Sequence, residues 1–223
     1  MTSRPAAASP AITAPPVTPP APAGAAGVFG DRLPVAERFA ALLVAEGTTW
    51  GLLGPREGAR VWSRHLLNCA ALSALVPSRA ACLDIGSGAG LPGLALAVAR
   101  PDLRVTLVEP LQRRVDFLRM AVATLQMAEQ VDVVRARAEE LHGRRTAPVV
   151  LARAVAPLAR LVPWTLPLLA PGGVVLALRG ARARDEVAAA AALLRGMGSA
   201  AEVLELAAGD GQIATVVRVR KAT

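Results

Sequence analysis

The stretch Cys82-Leu83-Asp84-Ile85-Gly86-Ser87-Gly88-Ala89-Gly90-Leu91-Pro92-Gly93 decides how the rest of the chain is read. A short apolar run, 80–85, gives way to glycines at alternate positions, 86, 88 and 90. A helix-compatible segment, 91–100, follows, with Pro92 near its first turn, where a missing N–H is harmless. Strand, glycine turn and helix in that order open a nucleotide-binding α/β unit. Glycine admits φ > 0 and lets a ligand approach the main chain closely. Dinucleotide sites favour G-x-G-x-x-G, whose third glycine packs the helix on the strand; counted from Gly86, that position is Leu91.

The pattern is instead D-x-G-x-G-x-G, with Asp84 ahead of the glycines. It is similar to the first motif of S-adenosylmethionine (SAM) methyltransferases. Further on, Val105-Thr106-Leu107-Val108 reads as a second strand ending in Glu109. A carboxylate about 20 residues beyond the glycines, at the end of the next strand, is placed to accept both hydroxyls of a ribose. Turn and acid together predict an adenosine ligand and leave SAM and NAD both open.

Outward from this unit the rhythm is β-α-β-α. Strands are predicted at 80–85, 103–109, 131–135, 148–152 and 173–179, and helices at 91–100, 111–127, 157–169 and 184–196. Helix 111–127 is expected to bury Leu111, Val115, Leu118, Val122 and Leu125 and to leave Arg113, Arg114 and Arg119 in solvent. Two more strands, 202–207 and 212–220, flank Gly209-Asp210-Gly211. So short a connection allows a hairpin and no crossover, so the last strand is antiparallel. That ending suits a SAM methyltransferase better than an NAD domain. Before the first strand, helices are expected at 33–46 and at about 56–75, the second with Val61, His65, Cys69 and Leu72 on one face. Residues 1–27 are mostly Ala, Pro, Ser and Thr with Arg4 as the one charged side chain, and read as a disordered tail. The expected organisation is thus a tail (1–27), an N-terminal helical cap (28–77) and a SAM-binding domain (78–223).

A net charge of +8 points to an acidic partner, nucleic acid first. Lys221 is the one lysine, and Ala is abundant, so the arginine count also reflects GC-rich coding and arginine placement matters more. Tyr is absent, which argues against a stacking platform for single-stranded RNA. Cys69 and Cys82 are too few for a disulfide scaffold and read as reduced core thiols of a cytoplasmic protein. No uninterrupted apolar span or signal segment is read, and with His65 and His142 the only histidines, no metal site is expected.

Residues 84–119, DIGSGAGLPGLALAVARPDLRVTLVEPLQRRVDFLR, resemble the glucose-inhibited division protein B family, the 16S rRNA guanine-N7 methyltransferases. Gly-Leu-Pro-Gly (90–93), Arg-Pro (100–101) and Arg-Val-x-Phe-Leu-Arg (114–119) carry the likeness. Arg64-His65 with Leu67-Asn68, Arg137-Ala138-Glu139-Glu140, Ala152-Arg153-Ala154 and Leu178-Arg179-Gly180 extend it over roughly 33–220. There are two departures: Arg179 stands where the family has Lys, and Thr49–Pro55 replaces its usual Trp-Asn…Asn-Leu-Thr segment.

The resemblance implies a Rossmann-like class I SAM-dependent methyltransferase: an α/β fold with a seven-stranded, mostly parallel sheet, last strand antiparallel, and an N-terminal helical cap. It implies SAM as cofactor, bordered by Asp84, Gly86, Ser87, Gly88 and Leu91. Glu109 would take the ribose, Ala138 and Glu139 the adenine, and Arg153 would touch SAM or the target nucleotide. Arg153, Arg179, Arg137 and His65 are the candidates for catalysis or for holding phosphate or guanine O6. The expected partner is 16S rRNA in the small ribosomal subunit or an assembly intermediate, met by a monomer. Guanine N7 carries a lone pair and no proton, so no general base is needed. Two readings stay open beside this one: a small-molecule SAM methyltransferase, and a SAM-binding ribosome-assembly factor without catalysis.

Overall fold

The computed structural model describes residues 17–47, 49–54 and 56–221. Its centre is a seven-stranded sheet in the order β3-β2-β1-β4-β5-β7-β6. The strands are β1 (Ala81–Ile85), β2 (Arg104–Val108), β3 (Val131–Val134), β4 (Ala147–Arg153), β5 (Leu169–Arg179), β6 (Ser199–Ala207) and β7 (Ile213–Lys221). β1 to β5 are mutually parallel, and β7 runs antiparallel to both its neighbours, as the hairpin required. The chain turns that hairpin through Gly209, Asp210 and Gly211, all at positive φ. Strand order reverses between β1 and β4, and there the crevice of an open α/β sheet forms.

Alternate residues of each central strand enter two different cores. Cys82, Val149, Leu151, Leu176 and Leu178 face one side; Leu83, Val150, Ala152, Val175 and Ala177 face the other. The second side is covered by α6 (Leu158–Thr165) and α7 (Ala183–Gly196). The first is covered by α4 (Gly93–Ala99), α5 (Gln112–Thr124) and the N-terminal helices. The cap is therefore continuous with the core of the sheet: Phe39, Leu43, Leu66 and Leu72 are buried in the same cluster as Leu94 and Phe117.

The N-terminal layer holds α1 (Ala23–Phe29), α2 (Leu33–Glu46) and a helical run over 58–75. That run changes winding as it goes: a 3-10 turn, a π-helix at Val61–Leu67, one α turn, α3 (Asn68–Ala70), and a closing 3-10 turn. Val61, His65, Cys69 and Leu72 are all buried, as their spacing predicted. Arg100 ties α4 to the end of this run. Its guanidinium donates to Ser73 O and Val76 O at 3.0 and 3.1 Å and meets both oxygens of Asp102.

Two expectations need correction. The tail reading over 1–27 extends too far: α1 begins at Ala23, Ala25 is fully buried, and Trp62 Nε1 donates to Pro19 O at 2.9 Å. Helix formation starts as soon as the prolines stop, with Pro22 at the N-cap. Residues 1–16 lie outside the described residues. Leu111, expected in the core, is 51% exposed; it precedes α5 with extended backbone, so it never joins the buried face of that helix.

Candidate active site

The turn after β1 folds back on β2. Gly86 and Ser87 donate their N–H groups to Val108 O, and Gly90 and Leu91 donate to Ser87 O. Gly86, Gly88 and Gly90 take φ of 70°, 55° and 84°, a region that L side chains rarely enter. A Cβ on Gly86 would stand 2.8 Å from Val155, so the loop after β4 closes against this turn. A fourth glycine, Gly93, does the close helix packing. A Cβ on Gly93 would stand 2.7 Å from Asp84 and from Leu107. The signal was available as the last residue of Gly-Leu-Pro-Gly.

Glu109 directly follows β2, with 1% of its surface exposed. Its carboxylate accepts the Gly88 N–H at 3.0 Å on one oxygen and the Leu111 N–H at 3.1 Å on the other. Arg114 stands 3.8 Å away. The backbone on both sides thus fixes the orientation of the acid, and its remaining lone pairs face an open cleft of about 610 Å³. Gly86, Ser87, Gly88, Leu91 and Glu109 line that cleft from the sheet edge; Leu52, Leu53 and His65 line it from the N-terminal layer. Arg137 and Arg153 close its far side. Beside it lies a smaller, apolar slot of about 140 Å³ against Val108, Pro110, Ala138, Glu139 and Val155.

Asp84 is not on the wall. It is fully buried beneath the turn, where Oδ2 accepts the Gly93 N–H at 3.0 Å and Oδ1 has no partner. Burial, reinforced by the neighbouring Glu109 charge, raises its pKa to about 7. Its work is to hold the start of α4 against β1. Ser87, also buried, donates from Oγ to Asp84 O.

The four arginine and histidine candidates divide. Arg153 ends β4 and reaches into the N-terminal layer. One Nη donates to Cys69 Sγ at 3.1 Å; the other donates to Arg64 O at 3.1 Å and to His65 Nδ1 at 2.7 Å. The proton of His65 therefore sits on Nε2, 3.0 Å from Glu57. Burial, with the Arg153 charge adding to it, lowers the pKa of His65 to about 4, so the ring is neutral at pH 7. Burial likewise pushes the Cys69 thiol up. Arg179, expected beside the cofactor turn, is turned elsewhere. It donates to Ala156 O at 2.7 Å, approaches Glu186 to 3.6 Å, and its side chain is only 7% exposed. It braces the loop after β4. Arg137 is exposed at the mouth of the cleft. Arg114, assigned to solvent by its helix position, instead lines the cleft next to Glu109.

These residues fit SAM. The acid suits a pair of ribose hydroxyls, the apolar slot suits an adenine, and positive-φ glycines leave space for a ligand against the backbone. A doubly wound sheet with this glycine turn after β1, this acid after β2 and a reversed last strand defines a class I SAM-dependent methyltransferase. Solved structures agree with the fold. A precorrin-6y C5,15-methyltransferase from Geobacter metallireducens matches with a TM-score of 0.52 at 20% identity, covering 70% of this chain and 86% of that one. A methyltransferase from Pyrococcus furiosus matches at 0.54 and 15% identity, covering 69% and 80%.

Residues 32–210 match the family described as rRNA small subunit methyltransferase G, and the chain belongs to that family. Relatives named ribosomal RNA small subunit methyltransferase G include one from Kineococcus radiotolerans, 52% identical and covering 88% of this chain and 78% of its own length. One from a Nocardioides species is 54% identical, covering 91% and 82%; one from Salinispora tropica is 57% identical, covering 77% and 73%.

Proposed function

We propose that this protein transfers the methyl group of SAM to N7 of a guanosine in 16S rRNA. The observation that carries the cofactor half is Glu109, buried and oriented by the Gly88 and Leu111 N–H groups at the edge of an open cleft. Family membership supports the acceptor half. SAM held here would supply an electrophilic methyl on a sulfonium, and guanine N7 offers a lone pair and no proton. No proton moves, and none is asked of His65: its Nδ1 accepts from Arg153, and its Nε2 stands 3.0 Å from Glu57 without an aligned hydrogen bond. The residues act by position. Gly86, Ser87, Gly88 and Leu91 would border the methionine and ribose, Glu109 would take the ribose hydroxyls, and Ala138 and Glu139 would flank the adenine. The gain comes chiefly from holding the nucleophile in line with the methyl. The guanidinium of Arg153, on the wall of the cleft, is engaged by Cys69, Arg64 and His65 of the N-terminal layer. We place the protein in the cytoplasm, as a monomer meeting the small ribosomal subunit or its precursor.

The test is transfer from isotopically labelled SAM to 16S rRNA and to small subunits, followed by nuclease digestion and mass mapping. One labelled 7-methylguanosine is expected. Label on a small molecule alone, or SAM binding with no transfer to either RNA form, would reject the reading.

A further inference from the structure

A second cleft of about 620 Å³ opens on the other side of β4. It shares Arg153 and Ala154 with the cofactor cleft, so the end of β4 is the wall between them. Arg60, Arg64 and Asn68 line it from the helical run, and Gln212, Ile213 and Thr215 from the β6–β7 hairpin. Ile213, 61% exposed, stands at its rim. The π-helix Val61–Leu67 lies between the clefts: His65 faces the first, Ser63 and Arg64 the second. Such windings recur at functional sites. Ala154, at the join, holds a φ of 51° although it is not glycine, a strained conformation of the kind that clusters at ligand sites.

Topology says which way the ligands lie. The ribose acid follows β2 and the adenine slot lies toward β3, so the methionine end of the cofactor points toward β4. An acceptor must reach the methyl from the β4–β5 side, where this second cleft is. The acid in the cleft is already engaged: Glu186 accepts the Leu158 N–H and sits beside Arg179. Arg60 and Arg64 are both exposed there; Arg64 meets Glu57 at 3.3 Å, and Arg60 enters no ion pair among the described residues.

We propose that the second cleft is the acceptor-nucleotide site, with Arg60 and Arg64 on flanking phosphates, Ile213 against the face of the base, and Asn68 reading guanine. This rests on the methyltransferase reading above. A guanine whose N7 faces the cofactor turns its N1–H and N2–H edge away from it, into the cleft, where the carbonyl oxygen of Asn68 accepts. The base enters unstacked, because the cleft admits a nucleotide and not a helix.

The experiment is single-turnover methyl transfer to whichever RNA form the wild type methylates, over a range of RNA and SAM concentrations, with SAM affinity by calorimetry. Asn68→Ala is expected to lower kcat/KM for RNA tenfold or more with the SAM Kd within twofold of wild type. Asn68→Asp keeps an acceptor oxygen and is expected to stay within about threefold of wild type. Arg60→Ala and Ile213→Ser, both at exposed positions, should raise the RNA KM severalfold, and Arg60→Ala should reduce the salt slope of binding by about one. Wild-type kinetics in Asn68→Ala, Arg60→Ala and Ile213→Ser would overturn the site while leaving the proposed function standing. Losses confined to SAM affinity would do the same. A wild type that binds SAM and methylates no guanine N7 would overturn both.

Discussion

Asp84 keeps one oxygen on the Gly93 N–H and the other without a partner, with no surface exposed, and burial lifts its pKa to about 7. A folded-state pKa above the unfolded value near 4 means that the native state binds the extra proton. Its stabilising contribution is whole below about pH 4 and is lost as pH rises to about 7. His65 acts in the opposite sense. Its folded pKa of about 4 lies below the ordinary 6.5, so its contribution is present above about 6.5 and fades as pH falls toward 4. Asp84→Asn removes the first effect and keeps an oxygen for Gly93. Its stability relative to wild type should therefore climb between pH 4 and pH 7, by on the order of a few kcal/mol. Urea melts at both ends of the window check this, and a constant difference would show that Asp84 titrates normally. Gly93→Ala concerns the same contact from the other side. Its Cβ would meet Asp84 and Leu107 at 2.7 Å, one on the strand and one in the core. Separating α4 from β1 and β2 should cost about 1–3 kcal/mol, read as a lower urea midpoint with m unchanged.

Among the elements, what was legible was what repeats locally. Each strand of the sheet came from a short apolar or alternating run, and the reversed last strand from the turn at Gly209-Asp210-Gly211, because so short a connection cannot carry a crossover. Glu109 was found for the same reason: its role depends on the end of one strand and a fixed distance from the glycines. Side-chain commitments set by distant elements were not legible. Arg153 finds its imidazole 88 residues away, and Leu52 and Leu53 reach the cofactor cleft from the cap. Arg179 looked like a ligand because it ends a strand, and only packing shows it bound to the loop after β4. α1 was missed because Ala23–Phe29 has no polar face to give it a period; its burial comes from Trp62, edge-on to Phe29 at 6.3 Å. A chain beginning at Val28 should thus melt several degrees below one beginning at Val17, with Trp62 Nε1 losing its acceptor and Gly24 its bond to Asp210. Coincident melting curves would mean that 17–27 adds nothing to the fold.

At the scale of the molecule, Arg153 joins the sheet edge to the N-terminal cap beside the cofactor cleft. Its fork satisfies a thiol, a carbonyl and an imidazole at once, a geometry that an ammonium cannot copy. Arg153→Ala leaves His65 Nδ1 and Arg64 O without their donor, and hydrogen bonds to a charged group are worth about 1.5–3 kcal/mol each. The expected loss of stability is about 2–4 kcal/mol, and Arg153→Lys should recover less than half of it. Function should follow position. The π-helical turn that carries Arg64 and His65 loses its anchor to β4, so the wall between the two clefts loosens. RNA affinity should then fall more than SAM affinity, because Glu109 and the glycine turn hold the cofactor without help from Arg153. Methyl transfer at saturating RNA and SAM should fall least. Calorimetry for SAM, filter binding for RNA and single-turnover rates on the same preparation separate the three. Unchanged stability with a thousandfold slower transfer at saturation would mean that Arg153 leaves the cap and touches the reacting atoms, and that the division between a bracing arginine and a positioning cleft is wrong.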